Sequence, residues 1–306
     1  MKKYQGIFPA FYACYDEKGD INPTAVERYT EWLIGKGVQG VYVGGSSGEC
    51  IYQGVAERKL VLEHVMKVAR GRIVVIAHVA CNNTRDSMEL AAHAESLGVD
   101  AIAAIPPIYF KLPPYAIAKY WNDISSAAPN TDFIIYNIPQ LAGVALTVPL
   151  LQEMMKNPRV IGVKNSSMPT QDIQMFKDAG AKSGRDFVVF NGPDEQFIAG
   201  RMIGADGGIG GTYSVMPELF VTLNALFEAG DVTTARALQY DINNVIYKLC
   251  TGKGNLYAMI KEVLRRREGL DLGGVREPLY NLAQGDGEIV AEAVTMIDAA
   301  VAKYVK

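Results

Sequence analysis

The chain has 306 residues, 49% of them hydrophobic and 21% charged, with a formal net charge of −3. That is the composition of a water-soluble globular protein. The acidic balance leaves no basic footprint for nucleic acid, and no apolar run is long enough to span a bilayer.

The first stretch, "MKKYQGIFPAFYACYDE", lacks the length and the small-residue cleavage site of a signal peptide and reads as a first strand. Further β-branched, apolar runs follow: 37–45, 72–79, 100–107, 132–139, 160–167, 186–192 and 207–213. With 6–13 they make eight. Most are continuous rather than alternating, as strands buried on both faces of a parallel sheet are. Helical patterns lie between them. "NPTAVERYTEWLIGKG" ends at Gly35 or Gly37, and "TRDSMELAAHAESLGVD" opens with Thr84 as N-cap and closes at Gly98. Beyond about residue 215 the strand signal fades, and three helical stretches run to the end.

Repeated βαβ units with eight strands predict an α/β fold, a TIM (β/α)8 barrel over 1–215. A C-terminal helical extension over 216–306 packs on it within the same domain. An open doubly wound sheet is the alternative, but "CYDEKGDINPT" after strand one carries no G-x-G-x-x-G turn. Cys14, Cys50, Cys81 and Cys250 form no CxxC and read as reduced thiols of a cytoplasmic protein. His64, His78 and His93 are too scattered for a metal site; His64 and His93 read as helix surface or packing.

In a barrel, functional groups gather at the C-terminal ends of the strands. There stand "GGSSGE" (44–49) after strand two, Tyr109 after strand four, Tyr136 on strand five and Lys164 on strand six. Asp194 and Glu195 follow strand seven, and "GGIGGTY" is strand eight. A lysine at the mouth of a barrel is an amine nucleophile toward a carbonyl, provided its surroundings keep it neutral. A tyrosine on the adjacent strand can shuttle the proton. The N–H groups and hydroxyls of "GGSSGE" can hold a carboxylate. Together these describe a Schiff-base enzyme acting on a 2-oxo acid. Each also has a bland reading: a rim lysine, helix-capping serines, Glu49 as a first-turn carboxylate, Tyr136 as a core tyrosine.

"GGSSGE", "YNIP", "GVKNSS" and "GADGGIGG", in this order, resemble the N-acetylneuraminate lyase and dihydrodipicolinate synthase superfamily over nearly the whole chain. The resemblance implies a class I aldolase on a TIM barrel, with pyruvate held as a Schiff base and neither metal nor cofactor. It makes Lys164 the Schiff-base lysine, Tyr136 the proton-shuttling tyrosine, and Tyr109 a tyrosine lent across a subunit interface. It sets Ser46 and Ser47 at the pyruvate carboxylate, and Ser166, Gly192, Asp194, Glu195, Gly210 and Gly211 at the rest of the substrate. It further implies a homotetramer acting on a small-molecule substrate, with neither nucleic acid nor membrane as partner.

Within that resemblance, synthases read Y-N-x-P-x-R, and here Leu141 takes the arginine's place. A leucine cannot pair with a second substrate's carboxylate. "YNIP" followed by Leu, and the "GPDE" of 192–195, resemble the sialic acid lyases instead. The sequence departs from those at Ser166, where a threonine is common, and at Gly211, where a serine is. The resemblance favours cleavage of N-acetylneuraminate to N-acetylmannosamine and pyruvate. The alternatives are an aldolase for a related acid such as 2-keto-3-deoxygluconate, a 4-hydroxy-tetrahydrodipicolinate synthase, and a ligand-binding barrel without turnover.

Overall fold

The computed structural model describes residues 3–305. Strands and helices alternate: β1 (Gly6–Pro9), α1 (Pro23–Gly35), β2 (Gly40–Val43), α2 (Val55–Ala69), β3 (Val74–His78), α3 (Thr84–Leu97) and β4 (Ala101–Ala104). Next come α4 (Pro114–Ser126), β5 (Asp132–Asn137), two short helices α5 (Pro139–Ala142) and α6 (Val148–Met154), and β6 (Val160–Asn165). Then follow α7 (Gln171–Lys182), β7 (Val188–Asn191), α8 (Phe197–Met202), β8 (Gly207–Gly210) and α9 (Pro217–Glu228), which packs on β1. The chain finishes with α10 (Val232–Leu249), α11 (Leu256–Glu268) and α12 (Asp286–Tyr304). Among the described residues no helix is long and apolar enough to cross a membrane.

All eight expected strands form, and every pairing is parallel, in the order β1-β8-β7-β6-β5-β4-β3-β2. The ring closes between β1 and β2 through one bridge, Ala10 to Tyr42, with Phe11 N–H donating to the Tyr42 carbonyl at 2.9 Å and Gln39 N–H donating to the Ile7 carbonyl at 3.1 Å. Strands buried on both faces explain the two apolar layers. Phe8, Tyr42, Ile76, Ile134, Tyr136 and Phe190 fill the interior of the barrel. Alternate residues such as Ile7, Val41, Ile135 and Val163 face the helices. Gly40 is needed inside because a Cβ there would lie 2.4 Å from the Phe8 ring.

The strands stop earlier than the apolar runs. The run 100–107 is a strand only to Ala104, since Pro106 and Pro107 have no N–H for a ladder. The residues left over form the rim, where side chains turn in over the barrel. One cap also differs from expectation. Asn83, not Thr84, caps α3, because its carboxamide oxygen sits one residue earlier and accepts the Asp86 N–H at 2.8 Å. Helix α1 ends at Gly35 with Lys36 as its C-cap, and Gly37 after it takes the left-handed φ of 79° that turns the chain away.

Candidate active site

β5 and β6 pair in a register that sets Tyr136 beside Lys164 and Asn137 beside Asn165. The period of two then divides the labour. Tyr136 and Lys164 point into the barrel. The two asparagines point outward, where Asn137 Nδ2 donates to Asn165 Oδ1 at 2.8 Å and Asn137 Oδ1 accepts the Leu146 N–H at 2.9 Å. The asparagines of "YNIP" and "VKNSS" thus lock the two strand ends that carry the inward pair.

Lys164 is 4% exposed. Its Nζ lies 4.0 Å from the ring centroid of Tyr136 and 4.0 Å from that of Tyr42 on β2. Burial pulls its pKa from the ordinary 10.5 down to about 7, although the Asp194 carboxylate works in the opposite sense. A large fraction of this amine is therefore neutral near neutral pH. Burial pushes the Tyr136 hydroxyl well above its usual range, while hydrogen bonding to Ser46 and Ser166 pulls it back. The hydroxyl keeps its proton and is linked to two further hydroxyls. Lys164, Tyr136, Ser46 and Ser166 are therefore brought together.

Ser46 and Ser47 lie in a single 3₁₀ turn, Ser46–Gly48, directly after β2. Ser47 Oγ donates to the Tyr257 hydroxyl at 3.3 Å. Glu49, which the bland reading made a first-turn carboxylate, is fully buried instead. Its Oε1 pairs with Lys261 Nζ at 3.0 Å and its Oε2 accepts the Arg276 N–H at 2.9 Å.

Asp194 is buried behind the same mouth. Its Oδ2 accepts both the Thr212 N–H and the Thr212 hydroxyl at 2.6 Å. Burial raises its pKa to about 7 despite those bonds and the nearby Lys164. Its other oxygen lies so close to Gly210 that a Cβ there would approach it to 2.0 Å. Gly192 is equally crowded, since a Cβ would meet Ser166 Oγ at 2.0 Å. Gly211 faces Ser47 Oγ, 3.2 Å from where its Cβ would be. These glycines let the ends of β6, β7 and β8 and the serine turn close on one another. Glu195, half-buried, is held through its carbonyl by Asn243 Nδ2 at 3.1 Å.

Tyr109 is not among this group. It is 89% exposed, with a φ of 85°, and stacks edge to face on Phe110 at 5.0 Å between centroids. Leu141, on α5, is exposed as well. His64 and His93 are helix-surface residues paired with Glu27 at 2.6 Å and Glu63 at 2.8 Å.

Three residues around this site had no distinct signal in the sequence. Tyr42 lies within an apolar run and looks like core. Tyr257 comes from α11, far along the chain. His78 ends β3, and its Nδ1 lies 2.8 Å from the Gly44 carbonyl, so Nδ1 carries the proton. Burial drops its pKa to about 3, which keeps it neutral.

The sequence pattern of the Dihydrodipicolinate synthetase family matches residues 3–297. The chain is 64% identical over 304 residues to the N-acetylneuraminate lyase of Mediterraneibacter gnavus, covering 99% of this chain and 96% of that protein. It is 34% identical over 278 residues to the N-acetylneuraminate lyase of Salmonella agona, covering 91% and 92%. Its fold superposes with a TM-score of 0.97 on a catalytic lysine mutant of Ruminococcus gnavus sialic acid aldolase, at 64% identity, covering 99% of this chain and 98% of that one.

Proposed function

We propose that this chain, which belongs to the dihydrodipicolinate synthetase family, is a carbon–carbon lyase that cleaves N-acetylneuraminate to N-acetylmannosamine and pyruvate through a Schiff base. The observation that carries this reading is the buried amine of Lys164, with its pKa drawn down to about 7 beside Tyr136. A neutral amine in an apolar pocket attacks a ketone carbon. The resulting protonated imine draws in the electron pair of the breaking C–C bond. The enamine left behind is protonated and hydrolysed to pyruvate. Its lyase relatives, and the catalytic lysine named for the Ruminococcus gnavus aldolase, support the same reading.

Tyr136, in contact with Ser46 and Ser166, moves the proton at the reacting carbon's oxygen. Ser46 and Ser47 receive the pyruvate carboxylate. Ser166, Gly192, Asp194, Glu195, Gly210 and Gly211 surround the hydroxylated chain, whose O–H groups donate to the acceptor-only carboxylates. Leu141 offers no cation to a second carboxylate, which argues against condensation with aspartate semialdehyde. The exposed Tyr109 and Phe110 suit burial against another copy in a homotetramer. The four free cysteines suit a reducing cytoplasm.

The test is chemical. Pyruvate with borohydride should add a reduced adduct to the peptide that contains Lys164, and Lys164→Ala should abolish both adduct and turnover while leaving the fold intact. An adduct on another lysine, or none, overturns the mechanism. A panel of 2-keto-3-deoxy sugar acids, run beside aspartate semialdehyde, decides the substrate: N-acetylneuraminate should release pyruvate fastest.

A further inference from the structure

Lys164 Nζ sits in a corner made by two aromatic rings. Tyr42 and Tyr136 meet edge to face, 5.7 Å between centroids at 79°, and Nζ is 4.0 Å from each. His78 packs against both rings, 6.1 Å from Tyr42 and 6.0 Å from Tyr136. Tyr42 cannot turn away freely, because Gly45 lies flush against it; a Cβ there would be 2.8 Å from Tyr42 Cε1. The Tyr42 hydroxyl is buried without a hydrogen-bond partner among the described residues. What Tyr42 presents to Lys164 is the face of its ring.

The reaction gives such a face a task. The neutral Lys164 amine forms a bond from nitrogen to C2 of pyruvate as the C=O pair moves to oxygen, and one proton passes from that nitrogen to the oxygen to give a neutral carbinolamine. The carbinolamine takes up a further proton, expels water, and closes the C=N bond with the nitrogen lone pair. One amine, one ketone and one proton give one protonated imine and one water. Only the protonated imine accepts electrons well, yet it keeps a single N–H with which to hold a partner. An aromatic face attracts a cation through its quadrupole and needs no N–H.

We infer that Tyr42 is a catalytic residue of this site, its ring face stabilising the protonated imine on Lys164 alongside that of Tyr136. The inference rests on the Schiff-base reading and adds to it a residue outside the proton relay.

The test changes the charge of the ring face at nearly constant size. Tyr42→Phe in the 306-residue chain sets the baseline, since the lost hydroxyl has no partner among the described residues. Mono-, di- and trifluorinated phenylalanine at position 42 then weaken the face in steps. The readout is the pyruvate concentration needed for half-maximal borohydride trapping on Lys164, with thermal unfolding as control. The expected result is a stepwise rise, roughly 10- to 30-fold from phenylalanine to the trifluorinated ring, with little change in unfolding temperature. A flat series with Lys164 still trapped overturns this inference alone. No adduct on Lys164 in the unsubstituted protein overturns the inference and the Schiff-base reading together.

Discussion

At the scale of single residues, the site depends on where one proton sits. With Lys164 brought from 10.5 to about 7, the rate of pyruvate trapping should climb with pH and reach half its plateau near pH 7, not near 10. The Asp194 carboxylate favours the charged ammonium, so removing its charge must lower the lysine's pKa further. Asp194→Asn should therefore move that rising limb toward acid, and a shift toward alkali would contradict the electrostatic account. Tyr136→Phe should lower kcat by roughly 10²- to 10⁴-fold with KM changed only a few-fold, if the hydroxyl moves protons in the transition state as proposed. Steady-state kinetics within a few-fold of the parent would return Tyr136 to a packing role. Lys164 and Tyr136 were legible in the sequence because each is a polar group closing an apolar run. Tyr42 and His78 were not. A buried tyrosine in "GVYVGG" reads as core, and nothing local says that its face is turned to an amine across the barrel.

At the scale of elements, the strands were legible because both faces are buried, which writes itself as continuous β-branched runs. The use of α11 was not, since it depends on contacts between residues more than 200 positions apart. Tyr257 and Lys261 are one turn apart on that helix and reach the 3₁₀ turn and the residue that closes it, Tyr257 at Ser47 and Lys261 at Glu49. Lys261 Nζ also donates to the Gly274 carbonyl at 2.6 Å. The helix therefore fixes the serine turn from outside the ring of strands. Glu49 holds a left-handed φ of 54° to make the pairing. Lys261→Met should destabilise the protein by about 3–5 kcal/mol, because it leaves a buried carboxylate without its cation. Pairing it with Glu49→Leu should recover much of that loss in urea unfolding. If the single variant unfolds like the parent, the pair contributes nothing to holding the turn.

At the scale of the molecule, the barrel is a ring of eight parallel strands whose joints differ in length, that between β1 and β2 being short. β1 and β2 share one ladder bridge, backed by Gln39 N–H donating to the Ile7 carbonyl at 3.1 Å, whereas β5 and β6 pair along five residue positions. In the order of the ring, the β5–β6 wall lies diametrically opposite that joint. Local opening follows the fewest interactions, so amide protons should exchange with deuterium unevenly around the ring. Peptides covering 40–43 should exchange well before those covering 132–137 and 160–165, and uniform protection would refute this. The barrel would then have a stiff side and a yielding one. The wall that carries Lys164 and Tyr136 would keep its shape on the timescale of exchange. On that outcome the wall that leads into Ser46 and Ser47 would loosen and re-form, giving a small acid a way past the serine turn without disturbing the amine of Lys164.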